Sequence, residues 1–261
     1  MKKILKFILI TILTFALFIV IWATTISSVK HVIRDVLVEN FKSRATLDEE
    51  ASTKLVKYYK IESDEGLDAF ITYGNTVIPG AIGDTIVSCE SLMYVTSSNF
   101  LNSIITGIIG YYAGGHASIV TDKYYSYEIG KIDEYMNVES TGMGSGDTPA
   151  VVSNRIGEWN NISRKEVYVL RSKLTDEERR ELVSMATSII GDSYNYSFIF
   201  DIDNSSYCSD LVSKCYSKVG KKLNRDSFAT TIYDIIVSSD MYLSYYHYFD
   251  SDGVKHIYYL A

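Results

Sequence analysis

The sequence predicts an α+β fold in which a largely antiparallel sheet packs against helices. Short strand patterns fill the middle of the chain and two helix patterns follow them, an order that favours this class. The 261 residues are 47% apolar and 22% charged, which excludes a disordered chain and is enough for one sizeable core.

An uncharged apolar run covers residues 7–26, directly after three lysines. Its length is enough to cross the ~30 Å hydrocarbon core of a bilayer. We expect residues 1–27 to be a retained, single-pass membrane anchor, with a cleaved signal peptide or a buried helix as alternatives. Basic residues on the two sides nearly balance, and the short basic amino end favours an extracytoplasmic location for the rest of the chain.

The segment after the apolar run shows helical periodicity from Ser28 to about Tyr59. We therefore expect residues 28–77 to form a helical stalk or a helix packed on the domain. Pro79-Gly80 is a turn signal, and we expect residues 78–261 to form the catalytic domain.

Strand and helix signals then alternate with glycine-containing turns. Thr175, followed by Glu178, is a capping box that predicts a helix as far as Gly191, and a second helix is predicted at residues 207–219. The apolar, glycine-containing residues 100–112 are either a short helix or a loop, and residues 141–147 form a glycine-rich loop. The strand patterns lie at residues 85–89, 117–121, 124–129, 132–140 and 166–171, with a turn at Gly130.

The charge and the cysteine content narrow the range of functions that the sequence allows. The net charge of −7 and the absence of a Lys/Arg-rich stretch argue against a nucleic-acid partner, and none is expected. Three cysteines do not form a disulfide framework, so at least one thiol is free.

Cys208 has the sequence context of an activated thiol. Asn204, Ser205 and Ser206 are N-cap residue types, which places Cys208 in the first turn of its helix, where the helix dipole stabilises a thiolate. Cys215 lies about 10 Å further along that helix, too far for a disulfide or a shared zinc ion, and is predicted to be a small core residue. An inert buried thiol is the alternative for Cys208.

His116 is the best candidate for a base that pairs with this thiol. It follows two glycines, which permit a close backbone approach, and it opens a predicted strand. A third polar group must orient the imidazole ring. The candidates on the following strands are Glu139, Asn137, Glu128 and Asp122, and the residues alone do not choose among them.

Five short segments of the chain resemble segments of the circularly permuted branch of the NlpC-type papain-like superfamily, the YiiX/YebB-like amidases. They follow one another along the chain in the same order as in that branch. In that branch the histidine precedes the cysteine, as His116 precedes Cys208 here. The resemblance implies a permuted papain-like fold, with Cys208 as nucleophile, His116 as base and Glu139 as the orienting residue. The segments are residues 81–87, 115–120, 138–140, 191–194 and 207–212.

Two neighbouring residues carry weaker expectations. Tyr207 is a candidate donor that would bind an oxyanion together with the Cys208 amide N–H. Asp84 is predicted to be a turn or capping residue and not a catalytic one.

The sequence therefore predicts a membrane-anchored thiol hydrolase or acyltransferase that acts on an amide or ester bond of a cell-wall peptide or a lipid-like substrate. The alternative is a catalytically silent, membrane-tethered binding or scaffold module of the same fold. A metal-dependent hydrolase lacks the usual ligand motifs, and no metal or cofactor is expected.

Overall fold

The computed structural model describes residues 2–62, 72–73, 76–77, 80–90, 114–126, 131–142, 149–155, 159, 164–198, 202–226 and 229–261. The helices are α1 (Lys2–Ser43), α2 (Asp176–Ser188), α3 (Cys208–Lys218) and α4 (Ile232–Ile236). The strands are β1 (Thr46–Asp48), β2 (Val56–Ile61), β3 (Thr72–Tyr73), β4 (Thr76–Val77), β5 (Thr85–Ser88), β6 (His116–Ser126), β7 (Lys131–Ser140), β8 (Val151–Arg155), β9 (Glu166–Arg171), β10 (Tyr242–Phe249) and β11 (Lys255–Leu260).

Within these ranges, nine strands form one sheet in the order β1-β2-β11-β10-β9-β5-β6-β7-β8. The pairs are antiparallel except for β2 and β11, which run parallel. The sheet is therefore largely antiparallel, as expected, and its one parallel pair makes it mixed. The parallel strand β2 comes from a segment that the helical periodicity assigned to a helix.

The strands that lead to the candidate site largely match their predictions. β5, β7 and β9 lie where strands were expected. The two strands predicted at residues 117–121 and 124–129 are instead one strand, β6, whose register to β7 shifts between Val120 and Asp122. The turn at Gly130, residues 100–112 and most of the glycine-rich loop lie outside the described residues.

The sheet buries apolar side chains on both faces. On one face Val87, Ala117 and Ile119 pack against Leu211 and Val212 of α3. The other face forms a second, smaller cluster that includes Val120 and Trp159. Burial on both faces fixes the position of the central strands, because any shift in register would expose apolar side chains.

Helix α2 begins as the capping box predicts. The Thr175 hydroxyl accepts from the Glu178 N–H at 3.2 Å, and the Glu178 carboxylate accepts from the Thr175 N–H at 2.7 Å. The helix ends at Ser188, three residues before Gly191, which has φ +104°.

Helix α1 joins the apolar segment to the domain without a break. Its 42 residues extend over about 63 Å, and its apolar part is long enough to span a membrane or to act as a signal sequence. The other end packs on the domain through buried Val38 and Phe41. Lys30 Nζ lies 2.7 Å from Asp226 Oδ2 and 2.5 Å from Asp234 Oδ1. The helix ends at Ser43, not near Tyr59, and the domain boundaries at residues 27 and 77 stay predictions.

Candidate active site

Cys208 is the first residue of α3, at the tip of the helix that packs on the sheet. Tyr207 occupies the N-cap position, which the sequence assigned to one of the three residues before it. The Cys208 sulfur is hydrogen-bonded by the His116 ring and by the backbone N–H groups of Ala117 and Ser209. Three donors aimed at one sulfur favour its ionised form.

His116 opens β6 and reaches the sulfur because its chain passes close to α4 at Gly115. Gly115 has φ +117°, and a Cβ there would lie 2.2 Å from Ile232 Cδ1 and 2.4 Å from the Ser88 carbonyl oxygen. Only glycine fits this approach, so the prediction that the glycine pair permits close packing is confirmed at Gly115.

Glu139 lies beside His116 on the neighbouring strand. Its Cα is the register partner of Ser118, two residues after His116, so the two side chains share a face. His116 Nε2 lies 2.6 Å from Glu139 Oε2, which leaves Nδ1 for the thiol. Asn154 Nδ2 on β8 donates to the other carboxylate oxygen at 2.6 Å, so the carboxylate is held from both sides.

His116 shifts the pKa of both Cys208 and Glu139, and both shift the pKa of His116 in return. Burial opposes charge on His116, but hydrogen bonds and charges from Cys208 and Glu139 raise its pKa to about 9. Burial also opposes the Cys208 thiolate, and His116 outweighs it, so the pKa of this thiol is lowered. The pKa of Glu139 is lowered despite burial, because His116 donates to it. A thiolate–imidazolium pair is therefore favoured at neutral pH.

An aromatic stack covers the imidazole. The Trp159 ring lies parallel to His116, with centroids 5.5 Å apart and 11° between the planes. The Arg164 guanidinium carbon lies 4.0 Å from the centroid of the same indole. Trp159 is 1% exposed, so it excludes water from this side of the histidine. Trp159, Arg164 and Asn154 were not predicted from the sequence, because they belong to none of its recognisable motifs.

The loop before Cys208 is tied to the end of β7, next to Glu139. Ser140 Oγ donates to the Ser206 carbonyl oxygen at 2.7 Å. Phe198 and Asn204 in this loop have positive φ, a strained conformation for phenylalanine. Because the loop is fixed to β7, the helix tip and the carboxylate keep a constant separation.

The other candidates for the orienting residue lie elsewhere. Asn137 is buried two residues before Glu139 on the same strand, and its amide lies between Ser118, Trp159 and the Asn154 backbone. Asp122 is exposed, and Glu128 lies outside the described residues. Of the four candidates, the structure brings Glu139 to His116.

Tyr207 and Asp84 take different positions. Tyr207 is buried against Phe198, with ring centroids 5.2 Å apart. Burial raises its pKa, so it stays a neutral phenol. Asp84 accepts from the Ala81 N–H at 2.8 Å, which confirms the turn role, and it also forms a bidentate ion pair with Arg171.

Cys215 and the other three histidines lie apart from this site. Cys215 belongs to the apolar core, as predicted, and burial raises its pKa to about 12. The His31 ring packs against the Tyr233 ring at a tilt of 34°, His247 lies 2.9 Å from the Tyr245 hydroxyl, and His256 pairs with Asp250. In the described part of the chain, no cluster of three His, Cys, Asp or Glu side chains could hold a metal ion.

Comparison with known proteins identifies the family. The sequence profile of the family described as "Permuted papain-like amidase enzyme, YaeF/YiiX, C92 family" matches residues 91–244, more than half of the chain. Among solved structures, the chain is similar to the crystal structure titled metalloprotein yiiX from Escherichia coli O157:H7. The match has 15% identity and a TM-score of 0.42, and it covers 62% of this chain and 94% of the other. No curated protein matches. The chain belongs to the family of permuted papain-like amidases.

Proposed function

We propose that this protein is a membrane-anchored thiol hydrolase or acyltransferase that cleaves an amide or ester bond through Cys208, His116 and Glu139. The observation that carries the proposal is the contact of the His116 ring with both the sulfur and the carboxylate. A nucleophile, a base and a group that orients the base are the parts that covalent acyl transfer needs.

The reaction starts from the thiolate–imidazolium pair. The Cys208 sulfur attacks the carbonyl carbon, and the carbonyl electron pair moves to oxygen. When the tetrahedral adduct collapses, the bond to the leaving amine or alcohol breaks, and the His116 imidazolium gives its proton to that leaving group. A thioester remains on Cys208.

The second half of the reaction regenerates the thiolate. Neutral His116 takes a proton from water or from another acceptor, whose oxygen or nitrogen attacks the thioester carbonyl. The sulfur leaves as the thiolate and the imidazolium is restored. Glu139 keeps its carboxylate throughout and stabilises the imidazolium, since its pKa is lowered by the same hydrogen bond.

The helix tip supports the proposed oxyanion site. The first amide N–H groups of a helix have no acceptor within the helix, and Cys208 is the first residue of α3. The proposal places the substrate oxygen near the Cys208 N–H, with Tyr207 as a further donor.

The proposed substrate is a cell-wall peptide or a lipid-like molecule, met on the extracytoplasmic side of the membrane. The apolar end of α1 supports this location, because its side chains are exposed along a segment long enough to cross a bilayer. The packing of the other end of α1 on the domain would hold Cys208 close to the membrane surface.

Trapping the thioester tests the proposal. We expect a p-nitrophenyl ester and a matched anilide to leave an acyl group on the Cys208 peptide in quenched samples, removable by hydroxylamine and absent from Cys208→Ser. Turnover that is insensitive to EDTA and blocked by iodoacetamide is the second expected result. Full turnover by Cys208→Ser would overturn the proposal, and a protein that forms no adduct with either compound would instead be a binding module.

A further inference from the structure

Helix α4 lies between helix α1 and the candidate active site. On one side, the ring of His31 on α1 packs against the ring of Tyr233, with 4.0 Å between the centroids. On the other side, the buried Ile232 side chain contacts the backbone at Gly115, the residue before His116. A displacement of α4 would therefore reach the backbone that carries the imidazole.

A shielded ion pair fixes α4 to α1. Lys30 Nζ lies 2.7 Å from Asp226 Oδ2 and 2.5 Å from Asp234 Oδ1. The Lys30 side chain is 15% exposed and the Asp234 side chain 4%, so water screens this pair less than it screens a surface pair. Burial opposes the charge on Lys30, but its hydrogen bonds to the two carboxylates outweigh burial and raise its pKa. Lys30 is therefore an ammonium group at neutral pH.

The carboxylate that accepts from Lys30 also closes the first turn of α4. The Thr231 hydroxyl accepts from the Asp234 N–H at 3.2 Å, and Asp234 Oδ2 accepts from the Thr231 N–H at 2.8 Å. The other oxygen of Asp234 accepts from Lys30. Because α4 has only five residues, it depends on this cap and on its packing. Loss of the ammonium group would leave the buried Asp234 carboxylate beside Asp226 without this cation and would disturb the turn.

The residue before this cap contacts the helix that carries Cys208. The Thr230 carbonyl oxygen accepts from the Ser209 hydroxyl at 2.8 Å, and both residues are buried. Ser209 follows Cys208, and its backbone N–H is one of the donors to the sulfur. Residues 230–232 therefore contact both the neighbour of the candidate nucleophile and the neighbour of the candidate base.

We propose that Lys30 is a positioning residue for the Cys208–His116 pair and acts through Asp234 and the first turn of α4. The proposal rests on the proposed function. A contact that only stabilises the fold would lower the unfolding free energy and leave the reactivity of the folded protein unchanged. A positioning contact changes the reactivity of the protein that is folded.

Kinetics and alkylation of the full chain in detergent micelles test the role of Lys30. In Lys30→Met that is folded by circular dichroism, we expect kcat on the p-nitrophenyl ester to fall about 10–100-fold at nearly constant KM, the effect of a displacement of about 1 Å in a reacting pair. The pH inflection of Cys208 alkylation should move upward, because the imidazolium no longer faces the sulfur correctly.

Two further lysine variants serve as the rescue and the control. Lys30→Arg keeps the charge and should restore most of kcat and the parental inflection. Lys42→Met removes an ion pair that lies within α1, to Glu39, and should change neither quantity. A folded Lys30→Met with the parental kcat and inflection would overturn the proposal, as would an equal loss of kcat in Lys42→Met.

Ser209→Ala tests the same path from the side of the active site. It removes the hydrogen bond to Thr230 and keeps the ion pair, so it also tests the path if Lys30→Met does not fold. We expect a loss of about fivefold in kcat, the effect of one hydrogen bond. The loss in the double variant should be smaller than the product of the two single losses, because both act through residues 230–234. Parental kcat in Ser209→Ala, or losses that multiply, would overturn the path.

The alkylation readout separates this proposal from the proposed function. A Cys208 inflection that moves upward in Lys30→Met and returns in Lys30→Arg, in a protein that forms no thioester with either compound, would support the positioning role of Lys30. The same result would overturn the proposed reaction.

Discussion

Helix α3 carries two cysteines in opposite chemical environments. Cys208 lies at the helix tip, hydrogen-bonded to His116, and its pKa is lowered. Cys215 lies two turns further along the same helix, among apolar side chains, and its pKa is raised to about 12. Both thiols are buried, so burial does not distinguish them.

The comparison shows that the partners of a buried thiol decide its reactivity. Burial penalises the thiolate at both positions. Only at the helix tip do an imidazolium and two backbone N–H groups outweigh the penalty. A helix that begins at Cys208 and packs on β6 is therefore what turns one of two similar residues into a candidate nucleophile.

Replacing each cysteine by serine in turn should give the largest difference in kcat between two variants. We expect Cys208→Ser to lower kcat by at least about a thousandfold, because a serine hydroxyl beside His116 is not ionised at neutral pH. Cys215→Ser should keep kcat and lose about 1–3 kcal/mol of unfolding free energy, because it buries a hydroxyl in an apolar core. Steady-state kinetics and urea titration measure the two effects, and a loss of kcat in Cys215→Ser at full folding would remove the distinction.

Gly115→Ala tests the backbone approach that brings His116 to the helix tip. The new Cβ would collide with Ile232 and with the Ser88 carbonyl oxygen at a positive φ. We expect a loss of about 2–5 kcal/mol in unfolding free energy, from strain and overpacking together. Gly253→Ala is the matched control, since its φ is also positive but nothing lies within 4 Å of the added Cβ. Equal losses in the two variants would show that the contact with α4 is unimportant.

Trp159→Leu tests what the aromatic stack contributes to the pKa of His116, and its expected effect is smaller. Leucine keeps the site dry but removes the ring face that favours the imidazolium. His116 holds its proton below a pKa of about 9 and loses it above, so a lower pKa moves the alkaline limb of kcat/KM to lower pH. We expect a shift of about 0.5–1 pH unit, with Trp159→Phe close to the parent. An alkaline limb that stays in place in the leucine variant would mean that the indole does not act on the histidine.

Much of the fold and two residues of the candidate site could be predicted from sequence because their signals are local. The capping box at Thr175, the helix pattern at residues 207–219 and the glycines before His116 each reflect short-range geometry. The order of His116 and Cys208 then favoured the permuted family, to which the chain belongs. The catalytic roles of these residues stay proposals.

Other features depend on long-range pairing and were not predictable. Strand β2 is defined by its parallel pairing with β11, at the far end of the chain, and its apolar residues also fit a helical period. Trp159 reaches His116 from the connection between β8 and β9, where no repeating pattern marks it. The residues alone left Glu139 as one of four candidates, and the family resemblance singled it out; the register of β6 and β7 supplies the long-range pairing that places it beside the imidazole.

The pH dependence of alkylation at each cysteine tests the central claim most directly. Iodoacetamide is applied to the intact protein and the labelled peptides are quantified by mass spectrometry. The account predicts that Cys208 reacts with an inflection below the usual thiol pKa, that His116→Ala moves this inflection upward, and that Cys215 stays unlabelled in the folded protein. An inflection for Cys208 in the usual thiol range, unchanged by His116→Ala, would contradict it.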